Sequence, residues 1–213
     1  MSGYVGDVAA LARKDLLLEL RSRDTVPAML LFVVSALVVF RFTIPSDASE
    51  LAAVGLLWIA VLFTALLALT RAFVAEREQR VLDGLVLAPC DRSAIWLAKG
   101  ISVAAFLLLA EAIALPAFAL FFGPVDGAIV AAFALATVGI ATVGTLLAAM
   151  AAASRARELL LPLLFLPLAI PLVVGGVGAS VEPDPGRYLA FLGLYDALFA
   201  ILAWASFEYV VTE

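Results

Sequence analysis

The sequence predicts an all-α membrane protein of six transmembrane helices, with an N-terminal amphipathic helix in the membrane interface and a charged helical segment between spans two and three. Three observations carry this. The chain has 213 residues, of which 65% are hydrophobic, and its mean hydropathy is +1.15. A soluble domain of this size needs a wetted surface and cannot carry so much apolar content, so the bilayer is the solvent. The apolar residues gather into six runs, each near the ~20 residues that cross a bilayer. The lysines and arginines gather at one set of the intervening segments. The whole of 1–213 then forms one membrane domain, with 1–25 as the interfacial helix and 71–99 as the charged segment.

From Tyr4 to Arg23 the chain is too polar to span. Val5, Val8, Ala9, Ala12, Leu16 and Leu20 recur at helical spacing, with Asp7, Lys14 and Arg21 on the other face. That pattern suits a helix lying flat in the interface. Its cationic region is long, and the apolar run after it exceeds the hydrophobic stretch of a leader, so no cleaved signal peptide is expected. The first span is Val26–Ile44, with Pro27 at a position that helix starts tolerate and Arg41 able to snorkel. The second is Leu51–Thr70 and the third Ile101–Phe122. The fourth is Ala128–Ala153, the fifth Leu159–Ala179 and the sixth Tyr188–Tyr209.

Arg13, Lys14, Arg21, Arg23, Arg71, Arg77, Arg80, Arg92, Lys99, Arg155 and Arg157 fall on one side of these spans. Only Arg41 and Arg187 fall on the other, among Asp47, Glu50, Asp126, Glu182 and Asp184. By the positive-inside rule both termini are expected in the cytoplasm. The outer loops are short, so no sizeable external domain is expected.

Arg71–Lys99 is the most informative stretch. Links between spans in compact bundles need only a few residues. This one is long and mixed in charge. Phe73, Val74, Val81, Leu82 and Leu85 form an apolar stripe, and Glu76, Arg77, Arg80 and Asp83 form a polar side. Gly84 weakens the helix and Pro89 ends it. A docking surface for a soluble partner explains the length better than a plain linker does. Cys90, the single cysteine, reads as a free surface thiol.

The run EREQRVLDGLVLAPCDRSAIWLAK resembles the segment between helices two and three of type-2 ABC transporter permeases. More narrowly, LLWIAVLFTALLALTRAF, this loop, LLLPLLFLPLAIPLVVGG and the FEYVVTE terminus resemble the CcmB family. CcmB is the membrane subunit of the cytochrome c maturation (haem exporter) ABC transporter. The resemblance covers essentially the whole chain, and the proline-rich fifth span is its most specific piece. It implies that 71–99 holds a cytoplasmic coupling helix. A separate ATPase, CcmA, would dock there through Glu76, Arg77, Arg80, Val81, Leu82, Asp83 and Leu85. It also implies a homodimer of permeases working with two ATPase chains, beside the haem-handling subunits CcmC and CcmD and the periplasmic haem chaperone CcmE.

The residues themselves limit the chemistry. There is no GxxxxGK[ST] phosphate cradle, so ATP, if used, is bound by another chain. There is no histidine, so any haem handled by the complex takes no imidazole from here. No cofactor or metal is expected on this chain, no catalytic residue is visible, and no nucleic-acid partner is expected.

Some intramembrane residues need a reason. A charged carboxylate at the bilayer centre costs about 2.5–3.5 kcal/mol on insertion scales. Glu111, in LLLAEAIALP, reads as a polar patch facing a cavity or a partner. Asp196 reads equally as such a group or as an interfacial residue near the outer surface, within reach of Arg41 or Arg187. In span five, Pro162, Pro167 and Pro171 each remove a backbone hydrogen bond, and Gly175, Gly176 and Gly178 follow. This predicts a kinked, buried span ending in a broken or re-entrant outer segment, with the prolines as a moving hinge or a static kink. Pro116 is expected to bend span three. Thr137, Ala141, Thr145, Ala149 and Ala153 form a small-residue ladder that suits close packing within the bundle.

Four functional readings follow. The first is a non-catalytic ABC permease subunit in cytochrome c maturation. The second is a type-2 exporter permease for a lipid, drug or polysaccharide. The third is a membrane scaffold without energy coupling. An enzyme using Glu111 or Asp196 is the weakest, since no second catalytic group stands near either.

Overall fold

The computed structural model describes residues 3–22, 25–45, 50–73, 91–154 and 156–212. Among them run seven helices: α1 (Tyr4–Ser22), α2 (Thr25–Thr43), α3 (Glu50–Arg71), α4 (Arg92–Phe121), α5 (Gly127–Ala153), α6 (Arg157–Val181) and α7 (Gly186–Thr212). No strand occurs among the described residues. The helices α2 to α7 are each long and apolar enough to cross a membrane, which makes the chain a multi-pass membrane protein.

The helix limits follow the apolar runs closely, with one exception. α4 begins at Arg92 rather than Ile101. Asp91 adopts an extended conformation, and its carboxylate accepts the Ser93 backbone N–H at 2.9 Å. That satisfies one of the orphan donors of a helix start. At ~1.5 Å per residue the 30 residues of α4 reach well past a ~30 Å hydrocarbon layer. The first turns of α4 therefore continue beyond the membrane on the basic side. At the other end Gly123 turns the chain with φ +144, a left-handed value that favours glycine. Pro116 lies inside α4 without interrupting it.

α5 is the central helix. It packs on α3, α4, α6 and α7, and its sequence explains why. GAIVAAFALATVGIATVGTLLAAMAAA is apolar all round and mostly small. A helix with that pattern belongs in the interior, and small residues let four neighbours approach. Two glycines receive leucines directly. The space of a Gly144 Cβ is filled by Leu69 of α3, and that of Gly139 by Leu172 of α6 together with Asp196 of α7. Ala141 and Thr145 of the ladder face α4, where Gly100 brings the backbones together.

α6 corrects an expectation. It is one continuous helix through Pro162, Pro167 and Pro171 to Val181, not a span with a broken or re-entrant end. Its glycines are places of close approach. The Trp58 indole of α3 occupies the space beside Gly176, Tyr188 that beside Gly178, and Phe191 and Leu192 that beside Gly175. Trp58 stacks on Phe133 at 4.1 Å with the rings 8° apart. Its Nε1 donates to Ser180 Oγ at 3.3 Å, and Ser180 Oγ donates to the Gly176 carbonyl. Near Pro167, Tyr195 of α7 donates its hydroxyl to the Leu168 carbonyl at 2.7 Å. Leu168 follows Pro167, whose own carbonyl loses its helical donor to Pro171. In lipid such weakened helical segments need donors from neighbours.

Candidate functional site

The expected docking residues Glu76, Arg77, Arg80, Val81, Leu82, Asp83 and Leu85, and Cys90 beside them, lie outside the described residues. The helices that lead into and out of this segment are described, and they converge on a charged cluster at the basic end of the bundle.

The cluster is built by α1 against α4. Val8 and Ala12 of α1 pack on Ala94 and Ala98 of α4. One turn on, Asp15 lies on the same stripe and is buried. Its Oδ2 meets Lys99 Nζ at 3.0 Å, while Lys14 reaches its Oδ1 at 2.8 Å. Lys99 also lies over the Phe73 ring, 5.3 Å from its centroid. Cation–π contact and ion pair together tie three places to one ammonium: α1, α4 and the residue just past α3. Ser102 donates to the Ala12 carbonyl at 3.4 Å and the Ala98 carbonyl at 3.0 Å. Glu19 accepts the Thr25 backbone N–H at 3.1 Å, so the end of α1 caps the start of α2 with a negative charge where helix N-termini favour one.

The sequence pattern did not single out Asp15. The available signal was its register: positions 8, 12 and 15 share one face of a helix, so an acidic residue falls in the stripe that α1 buries. Of the stripe read from sequence, Val8 and Ala12 pack on α4, while Val5 and Leu20 are exposed. Lys99, read as the end of the charged segment, is a buried residue of α4. At the head of α4, the Ser93 hydroxyl and N–H hold the Asp91 carboxyl below its usual range.

The two intramembrane carboxyl groups are both buried. Thr137 of α5 donates its hydroxyl to Glu111 Oε1. Asp196 is 7% exposed, and neither of its oxygens has a hydrogen-bond partner among the described residues. It does not meet Arg187, which instead pairs with Glu182 at 3.4 Å and bonds Tyr188. Asp196 lies against Gly139, and Glu111 bonds Thr137. Two positions along a helix are about 3 Å in rise and about 200° in turn. The two carboxyls therefore flank α5 at nearly one depth, on opposite faces. Among the described residues no group of three or more Cys, Asp or Glu side chains is placed to hold a metal ion.

Comparison with known proteins agrees with this architecture. Residues 7–207 match the family described as "CcmB protein". The chain is 30% identical over 207 residues to the Heme exporter protein B of Paracoccus denitrificans, covering 93% of this chain and 94% of that one. It is 28% identical over 186 residues to the Heme exporter protein B of Bradyrhizobium diazoefficiens, covering 81% and 80%. Against the Heme exporter protein B of Pseudomonas aeruginosa it is 34% identical over 131 residues, covering 59% and 57%. With a family match running from within α1 to within α7, and relatives similar along nearly the whole bundle, the chain belongs to the CcmB family of membrane proteins.

Proposed function

We propose that this chain is the permease subunit of an ATP-driven haem exporter acting in cytochrome c maturation. It couples ATP hydrolysis by a separate ATPase chain, CcmA, to the handling of haem or the release of haem-loaded CcmE, together with CcmC and CcmD. The observation that carries this is the match to the CcmB family over residues 7–207, alongside relatives named Heme exporter protein B. Haem is the substrate of the complex and ATP belongs to the partner. A chain without a phosphate cradle must borrow its energy source.

The arrangement at the basic end supports a coupling role. A partner that closes on nucleotide must push on an element tied rigidly to the spans. The residues flanking 74–90 enter that segment from α3 at Phe73 and leave it into α4 at Asp91, and Lys99 joins both sides to α1. The arginine and lysine bias supports a cytoplasmic basic end with both termini inside, and the bacterial relatives support an inner-membrane location. Two copies with two ATPase chains complete the unit.

Mass spectrometry of the complex purified with this chain from native membranes in mild detergent tests the reading. An ATPase with haem-handling membrane subunits is the expected result. An ATPase alone sinks the haem assignment in favour of another substrate, and no ATPase sinks the permease reading in favour of a scaffold.

A further inference from the structure

A small pocket of about 50 Å³ opens at the basic end, beneath α1 and between α2, α3 and α4. At the ~10–15 Å³ that one water needs by the same measure, it admits roughly three to five water-sized groups. That is the scale of a phosphate with its ester oxygens. Its charged and polar lining is Arg71, Thr25, Lys99, Asp15, Glu19 and Ser102, and its apolar wall includes Leu18 and Phe106.

Most of these polar groups already have partners. Lys99 holds Asp15, Glu19 accepts from Thr25 N–H, and Ser102 donates to backbone carbonyls. Two donors stand apart. The Thr25 hydroxyl is buried, with the residue 4% exposed, and has no hydrogen-bond partner among the described residues. A buried hydroxyl left unpaired is costly. Arg71 lines the same pocket at the last position of α3, and no ion pair joins it to another described residue. A guanidinium and a hydroxyl converging on one space suit an anionic oxygen cluster. The pocket is not simply cationic, however, because Asp15 and Glu19 balance Lys99 and Arg71. An anion that brings its own positive charge fits that balance better than a bare one. The pocket also lies where an interfacial helix meets spans, at headgroup depth, and Leu18 is both a wall residue and 43% exposed.

We infer that this pocket binds the headgroup of a zwitterionic phospholipid with a primary ammonium, such as an ethanolamine lipid. Arg71 and Thr25 hold the phosphodiester, the Glu19 side attracts the ammonium, and Leu18 and Phe106 receive the glycerol end of the acyl chains. The bound lipid completes the seat of α1 on the bundle. This holds whichever substrate the transporter moves.

The test is lipid retention by the purified complex. The complex is exchanged into nanodiscs containing equal parts of ethanolamine, choline and glycerol phospholipids, re-extracted under delipidating detergent, and read by native mass spectrometry. The ethanolamine lipid is expected to be retained roughly tenfold over the choline lipid, as loss of a charge-assisted contact predicts. Arg71→Gln combined with Thr25→Val should abolish that preference, while Arg71→Lys should keep part of it. A Leu159→Ala variant, altering an exposed side chain of α6 that does not line the pocket, serves as the folded control and should retain lipid as the parent does. Equal retention of all three lipids, or an undiminished preference in the double variant with assembly intact, overturns the proposal. Preference for the glycerol lipid overturns the zwitterion assignment. If inorganic phosphate added during re-extraction displaces the lipid completely at millimolar concentration, the site is a free-phosphate site and the lipid reading fails. If the double variant does not assemble, Thr25→Val alone decides: an unchanged preference overturns the proposal, and a reduced one supports it.

Discussion

Lys99 and Asp15 form a pair of nearly buried charges at 3.0 Å, each side chain 8% exposed. Such a pair adds little net stability over apolar packing, but stranding one partner costs about 3–5 kcal/mol. Lys99→Met should therefore destabilise the protein by about that much, and Asp15→Asn by less, since the amide still offers a carbonyl to Lys99. A double-mutant cycle in thermal unfolding of the detergent-solubilised protein should show a coupling energy of at least about 1 kcal/mol; additive effects would mean that the two side chains act separately. At the head of α4, Asp91→Ala removes the cap from Ser93 N–H and should cost about 1 kcal/mol. The Asp91 carboxyl is held below its ordinary range by Ser93, so its contribution is full above the usual carboxylate range. It is lost as pH falls through the lowered value, and Asp91→Asn should flatten that acid limb of the stability profile. Inside the membrane, Thr137→Val leaves Glu111 Oε1 without its donor and should cost about 1–3 kcal/mol, whereas Glu111→Gln keeps an acceptor for Thr137 and should cost less. Of these residues, Glu111 was visible in the sequence as a carboxyl in an apolar run. Asp15 was not, because one acidic residue in an amphipathic helix looks like any other until its stripe is known to be buried.

At the scale of elements, the six spans were legible because each apolar run is long enough to cross a bilayer and is bounded by charge or turn residues. The early start of α4 was not, because Arg92, Asp91 and Lys99 read as loop chemistry. Only the cap at Asp91 and the burial of Ala94, Ala98 and Lys99 against α1 turn those residues into helix. The fifth span shows the opposite error. Three prolines and three nearby glycines suggest breakage, yet α6 runs unbroken. Tyr195 donates into it, and aromatic rings fill the glycine surfaces. Packing has overridden local propensity. Gly176→Ala would drive a methyl into the Trp58 ring, which is itself stacked on Phe133. We expect a cost of about 1–3 kcal/mol, read as a lowered unfolding temperature, with Gly123→Ala serving as a separate test of backbone strain at a turn. A Gly176→Ala protein as stable as the parent would contradict the close α3–α6 approach.

For the whole molecule, the arrangement concentrates polar interaction at one end and at one depth. The basic end joins α1, α2, α3 and α4 through Lys99, Asp15, Glu19 and Ser102. The interior carries two carboxyls on opposite sides of the central helix α5. The family was legible from the charged segment after span two together with the proline-rich span, and residues 7–207 match it. The docking residues between Phe73 and Asp91 rest on sequence alone. The proposed function centres on energy coupling, in which ATP hydrolysed by a partner moves this bundle to act on haem. The most direct measurement is release of haem-loaded chaperone from proteoliposomes containing the purified complex, with and without ATP, for the parent chain and for Glu76→Lys combined with Arg80→Glu. Release that needs ATP and is lost in the charge-reversed variant, while the spans stay folded, is the predicted result. Release that proceeds equally without ATP, or is untouched by the charge reversal, would contradict the claim.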